Sequence, residues 1–344
     1  MNVAQNYFTP PPLVTRAPKE RDVYYDKLKE SLGLEIYQQT TAHTKILGQE
    51  NHGDHYCYDM TMDTEPGVTM PFFLLSPIDL KNTDTLKKLP IVIVPHGHGS
   101  DGRYGVAGLH RHVQMEHNIN HYHHDIGRQF VRQGYLVLCP DSRGSGDRRE
   151  PEDSGLEPEQ LKKSSCQKIN NLLINQGSCL AGAWVWDLMK LIDLLLQQNW
   201  GDASRLGVCG FSGGGLQSLY LSAMDERIKC TAVSGYLHYW EDSFFLRNMC
   251  GCNFIPGINK NMNMADVACL IAPRSLILEK GKDDPLSGRS GIEGPRRLAQ
   301  HIRSFYQGIN KDDNFAYTEF EGSHQFGGEQ IFPFFQKHLQ SEEA

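Results

Sequence analysis

The stretch Arg205-Leu-Gly-Val-Cys-Gly-Phe-Ser-Gly-Gly-Gly215, followed by Leu216-Gln-Ser-Leu-Tyr-Leu-Ser-Ala-Met224, reads as strand, tight turn and helix. The apolar run up to Cys209 suits a buried strand, and 216–224 has the composition of a helix. G-x-S-x-G between a strand and a helix is the setting in which a serine stands on a strained turn as a nucleophile. Glycines flank it because strand and helix pass too close for a Cβ and the turn demands unusual backbone angles. The five-residue pattern alone is weak in a chain with 33 glycines. Its meaning depends on whether a base, an acid and oxyanion donors fall in the right places.

Working outward, Pro90-Ile-Val-Ile-Val-Pro95 and Tyr135-Leu-Val-Leu-Cys-Pro140 are continuous apolar runs, as expected of strands buried on both faces. Ile228–Val233, Arg274–Glu279 and Asn314–Phe320 extend the series. Helical patterns lie between them, most clearly over Leu180–Trp200, where Trp184, Leu188, Leu191, Ile192 and Leu195 share one face. Strands alternating with helices predict an α/β fold with a mostly parallel central sheet and helices on both faces. Ligands then bind at the loops after the strand C-termini. Tyr56–Met62 and Thr69–Leu75, around Pro66-Gly67, predict an antiparallel pair ahead of it. Residues 1–55 are expected to be an N-terminal helical arm and 56–344 a single catalytic domain. Within that domain 100–123 is expected to be a long histidine-rich loop, and 236–265, aromatic and methionine-rich, a small lid insertion.

Composition narrows the classes. A chain of 344 residues can bury a sizeable core. A net charge of −7 argues against nucleic-acid or membrane-surface partners. No segment approaches the roughly 18 apolar residues of a membrane span, and Met1–Glu20 lacks the apolar core of a secretory signal, so a cytoplasmic location is expected. The nine cysteines show no framework spacing and read as reduced. Cys250-Gly-Cys252 is read as neither a redox pair nor half a metal site, because no second C-x-C or C-x-x-C accompanies it.

A serine hydroxyl needs a base within hydrogen-bond reach, and that base needs an orienting acid. Asp284 follows the 274–279 run and His324 follows the 314–320 run. His324 is expected to take the proton of Ser212, with Asp284 orienting it and Asp283 as the rival acid. Each could singly be a solvated loop residue; the three at successive strand ends favour the catalytic reading. The backbone N–H groups of Gly213 and His98 are the expected oxyanion donors, with the His98 side chain turned elsewhere, toward substrate. Trp240 and Arg143 are candidates for substrate contact, against the plainer alternatives of lid core and a loop-bracing ion pair. Asp187 reads as structural. Eight of the histidines lie between His96 and His124, and His110, His112, His121, His123 and His124 with Glu116 offer a competing metal-dependent reading. No H-E-x-x-H is present, and neither metal nor cofactor is expected.

These motifs resemble the α/β-hydrolase superfamily, in its dienelactone-hydrolase-like and acetyl-xylan-esterase-like branch. The likeness is carried over residues 70–344 by His96-Gly-His-Gly99, Pro140-Asp-Ser-Arg-Gly-Ser-Gly146, Cys209-Gly-Phe-Ser-Gly-Gly-Gly215, Ile271-Ala-Pro-Arg-Ser-Leu276 with Gly281-x-x-Asp-Pro285, and Glu321-Gly-Ser-His324. The chain order Ser, Asp, His is that of the superfamily. The resemblance implies serine carboxylesterase chemistry through an acyl-enzyme, with no cofactor. The implied substrate is a small-molecule ester with a small acyl group such as acetyl, carried by a saccharide, and a homo-oligomer is compatible with it. Ser275 stands where the related motif usually has proline. The same machinery could serve a prolyl-oligopeptidase-like peptidase, although no β-propeller precedes the domain.

Overall fold

A computed structural model describes residues 21–340 except 100, 199, 245, 246 and 248. The first twenty residues of the expected arm, and 245, 246 and 248 of the expected lid, therefore lie outside the described residues. Among those described, nine strands form one sheet: β1 (Thr44–Asn51), β2 (Tyr56–Glu65), β3 (Val68–Ser76), β4 (Pro90–Ile93), β5 (Leu136–Pro140), β6 (Asp202–Phe211), β7 (Cys230–Ser234), β8 (Ser275–Gly281) and β9 (Phe315–Phe320). Their order is β1-β2-β3-β5-β4-β6-β7-β8-β9. The first three strands and the β3–β5 pairing are antiparallel, and every pairing from β5 through β9 is parallel. The chain reverses its direction of growth around β4, which leaves a crevice where the loops after β4 and β6 diverge.

The apolar runs are continuous because both faces of the sheet are covered. Ile91, Ile93, Leu136, Leu138, Leu206 and Val208 point to one side, against Leu188, Leu191, Ile192 and Leu195 of the long helix Leu180–Gln198. Val92, Val94, Val137, Cys139 and Cys209 point to the other, against Ile126, Phe130 and Val131 of the helix Ile126–Val131 and Ile331 and Phe335 of the helix Ile331–Phe335. Truncating a fully buried leucine such as Leu191 in such a core costs about 2–5 kcal/mol. The helix Gly213–Met224 after the elbow is buried along its whole length.

Two expectations are corrected. No boundary at residue 55 is visible in the sheet. Leu28 and Leu32 of the helix Arg21–Leu32 are in the main core, Tyr37 stacks on Trp186 with ring centroids 5.6 Å apart, and Thr44–Asn51 is the edge strand. Residues 100–123 are not one loop: Arg103–Val106 and Val113–Tyr122 are helical, the latter anchored by buried Met115 and Ile119 one turn apart. Finally, 236–265 packs into the core through Tyr236, Trp240, Phe244, Ile255 and Met262.

Candidate active site

Ser212 caps the helix Gly213–Met224 with φ 57° and ψ −116°, the left-handed, strained geometry expected of the turn. The flanking glycines are required by contact. A Cβ on Gly210 would lie 2.2 Å from the Gly214 carbonyl oxygen, and one on Gly214 would lie 2.2 Å from the Pro95 oxygen. The Ser212 N–H donates to the Ser234 carbonyl at 2.9 Å, tying the turn to β7.

The loops after β8 and β9 bring the acid and base to this turn. His324 Nε2 is 2.9 Å from Ser212 Oγ, and His324 Nδ1 is 2.9 Å from Asp284 Oδ2. With the carboxylate accepting, the network assigns the proton to Nδ1 and leaves Nε2 to accept from the serine. The two loops can close because Gly281 has no Cβ, which would lie 2.2 Å from the Ser323 oxygen. Asp284 is buried, and its Oδ1 accepts from the Leu286 N–H at 2.8 Å. Burial alone would raise its pKa; the hydrogen bond from His324 and the charge of Lys280 outweigh this and hold the carboxyl well below the usual range. Asp283, the rival acid, is exposed.

The loop after β4 faces the elbow. The N–H of Gly213 is in the first turn of its helix, where backbone donors have no intrahelical acceptor. Gly97 packs so closely that a Cβ there would be 2.9 Å from the Phe211 oxygen and 3.4 Å from the Gly213 nitrogen. The loop is clamped by His96, whose Nδ1–H donates to the Gly97 carbonyl at 2.8 Å while Nε2 accepts from the Ser142 N–H at 3.0 Å. Burial pushes the His96 pKa down, which suits this neutral ring. Gln217 completes the clamp, donating to the His96 carbonyl at 3.0 Å and accepting from Ser142 Oγ at 2.9 Å.

Other expected site residues are placed elsewhere. Arg143 is bound to Asp187 at 2.7 Å and 2.9 Å and to Glu65 at 2.7 Å, so it braces its loop instead of presenting a guanidinium to substrate. Burial would raise the pKa of Asp187, but Arg148 and Arg143 hold it at about 2. Trp240 is buried and forms one wall of an apolar cavity of about 300 Å³, with Ile174, Asn253, Phe254, Pro256 and Ile258. No residue of the Ser–His–Asp set lines that cavity. The histidine-rich segment does not converge: His110 faces Glu116 at 3.7 Å, His117 packs on His121, and His124 packs on Phe211.

The His98 side chain turns away from the crevice, contrary to expectation. Its Nε2 is 3.6 Å from Cys252 Sγ, and its ligand atom and those of Cys250 and Cys252 lie within 4.8 Å of one another. Among the described residues this is the one group of three or more His, Cys, Asp or Glu side chains spaced to hold a metal ion. Burial opposes a charge on His98, but hydrogen bonds with Cys166 and Cys250 push its pKa up to about 10. Sequence reasoning also missed Lys280. Its Nζ is 2.7 Å from Asp284 Oδ2, the oxygen that holds His324, and both side chains of this pair are buried. A lysine four residues before the acid, at the end of an apolar strand, was the available signal.

Residues 115–236 match the model of the dienelactone hydrolase family. YtaP of Bacillus subtilis (strain 168), a protein assigned as a hydrolase, is 22% identical over 240 residues, 68% of this chain and 73% of YtaP. Among solved structures, a protein of Bacteroides fragilis NCTC 9343 assigned as an acetyl xylan esterase superposes with a TM-score of 0.72 at 16% identity, covering 93% of this chain and 87% of that one. A glucuronoyl esterase from Solibacter usitatus gives 0.68 at 14% identity, covering 96% and 98%. An acetyl xylan esterase from Paenibacillus sp. R4 gives 0.59 at 16% identity, covering 98% and 100%. The chain has the α/β-hydrolase fold, and the expected likeness to its dienelactone-hydrolase and acetyl-xylan-esterase members is borne out.

Proposed function

We propose that this protein is a serine carboxylic-ester hydrolase working through an acyl-enzyme. The observation that carries the reading is the unbroken chain Asp284–His324–Ser212, with both links at 2.9 Å and the serine on a left-handed turn. The family match and the esterases of similar fold support ester hydrolysis as the class.

In this mechanism Ser212 Oγ attacks the ester carbonyl carbon while its proton passes to His324 Nε2. Asp284 holds Nδ1–H and stabilises the imidazolium. The N–H groups of Gly213 and His98 receive the oxyanion, each donor contributing about 10²–10³-fold in kcat. The C–O bond to the alcohol breaks as His324 returns the proton to it. Water, deprotonated by His324, then attacks the acyl-serine and releases the acid.

The acyl group is small, and acetyl on a saccharide is the reading we favour. A cavity of about 10 Å³ beside the triad, lined by Pro95, Gly97, His124 and Phe211, has room for about one water-sized group. None of the nine cysteines is in a disulfide, which suits a reducing, cytoplasmic compartment. No described helix is long and apolar enough to cross a membrane.

The test is turnover of p-nitrophenyl acetate and of acetylated xylo-oligosaccharides by wild type and Ser212→Ala. Loss of turnover of both substrates in the variant is expected. Wild-type protein inert toward every ester tried, or a variant as active as wild type, would overturn the reading.

A further inference from the structure

We propose that His98, Cys250 and Cys252 form a three-ligand zinc site that ties the loop after β4 to the turn at 250–252. The argument starts from the donor set. Two thiols and one imidazole are zinc ligands, and soft sulfur donors select zinc over hard cations. His98 lies 152 positions before Cys250, so no local motif announces the set; the fold alone assembles it.

The geometry fits. Zinc–sulfur bonds of about 2.3 Å and a zinc–nitrogen bond of about 2.0–2.1 Å, at the tetrahedral angle, place sulfur and nitrogen about 3.6 Å apart. Cys252 Sγ and His98 Nε2 are 3.6 Å apart, and Cys250 Sγ lies within 4.8 Å of both. Cys252 is fully buried.

The surroundings behave as a support for such a site. Asn253 Nδ2 points at Cys252 Sγ from 3.5 Å and donates to the Cys250 carbonyl at 3.1 Å, and Tyr236 Oη donates to Asn253 Oδ1 at 3.2 Å. Outer hydrogen bonds of this kind orient metal ligands. Gly251 lets the C-x-C turn settle on the helix Cys166–Ile174: a Cβ there would stand 3.0 Å from Asn170 Cβ and 3.1 Å from Gln167 Cα. A metal held by three protein ligands keeps its fourth tetrahedral position for water. Its place gives it a consequence. The His98 ring lies over Gly213, where a Cβ would be 3.1 Å from Nδ1, so fixing the ring also fixes the loop that faces the elbow.

The test is metal content, with no reference to turnover. Untagged protein from zinc-supplemented medium is dialysed without chelator and assayed by mass-spectrometric metal analysis. About one zinc per chain is expected. Protein in which cobalt(II) replaces zinc should show the sulfur-to-cobalt charge-transfer band and the visible bands of tetrahedral cobalt. Cys250→Ser and Cys252→Ser should each lower bound zinc at least tenfold, whereas Cys269→Ser, a buried cysteine outside the group, should leave it unchanged. If the two cysteine variants fail to fold, the wild-type zinc content and cobalt spectrum still decide. Wild-type protein with under about a tenth of an equivalent of zinc and no cobalt band would overturn the proposal. So would native mass analysis showing a disulfide between Cys250 and Cys252.

Discussion

Gly214→Ala tests whether the elbow and the loop after β4 must keep their spacing. The new Cβ would stand 2.2 Å from the Pro95 oxygen, 3.1 Å from the Pro95 carbonyl carbon and 3.3 Å from the His96 carbonyl carbon. Ordinary contact starts at 3.4 Å, so helix and loop must separate by about 1 Å. The obstacle is backbone, and His96 and Gln217 hold that backbone from the other side, so no flexible side chain can absorb the change. The separation falls between Ser212 with Gly213 on one element and His98 on the other. A misplacement of about 1 Å in such a constellation lowers kcat about 10²-fold, and overpacking lowers stability by about 1–3 kcal/mol. The assay is kcat and KM for p-nitrophenyl acetate, with urea unfolding to confirm a folded variant. A folded Gly214→Ala protein with kcat within twofold of wild type would refute the reasoning.

Asp284→Asn should lower kcat about 10⁴-fold, because the amide favours the wrong tautomer of His324. It should also destabilise the protein by about 3–5 kcal/mol, because Lys280 loses its buried partner; steady-state kinetics and urea unfolding read the two effects separately. Asp187 gives a pH prediction. Its folded pKa of about 2 lies below its ordinary 3.8, so its contribution to stability is complete above about pH 4 and is lost as pH falls toward 2. The contribution is about 2 kcal/mol, and Asp187→Asn should remove this part of the pH dependence in unfolding measured at about pH 6 and pH 3. His96→Phe should cost about 1–3 kcal/mol, since it leaves the buried Ser142 N–H without an acceptor; thermal unfolding reads it.

The parallel half of the sheet was legible because its strands are buried on both faces and are therefore apolar without interruption. Thr44–Asn51 escaped notice for the opposite reason: it is an edge strand whose Ile46 and Leu47 face solvent, so its sequence carries no alternation. The helix Val113–Tyr122 was hidden by its histidines and asparagines, with just Met115 and Ile119 marking the buried side. Ser212, Asp284 and His324 could be picked out because each follows a recognisable strand, and topology brings strand ends together. Arg143 stayed open between two readings because an arginine beside a site can bind substrate or a carboxylate, and its partners Asp187 and Glu65 are 44 and 78 residues away. The same distance effect hid the approach of His98 to Cys250 and Cys252. A C-x-C pair has no meaning until the fold shows what stands opposite it.

The central claim is that Ser212 is the nucleophile. Intact-mass and peptide mapping after treatment with a fluorophosphonate address it most directly. One adduct per chain, on Ser212, is expected, with p-nitrophenyl acetate turnover lost in step and neither labelling nor turnover in Ser212→Ala. Labelling at another residue, or wild-type turnover in Ser212→Ala, would contradict the account.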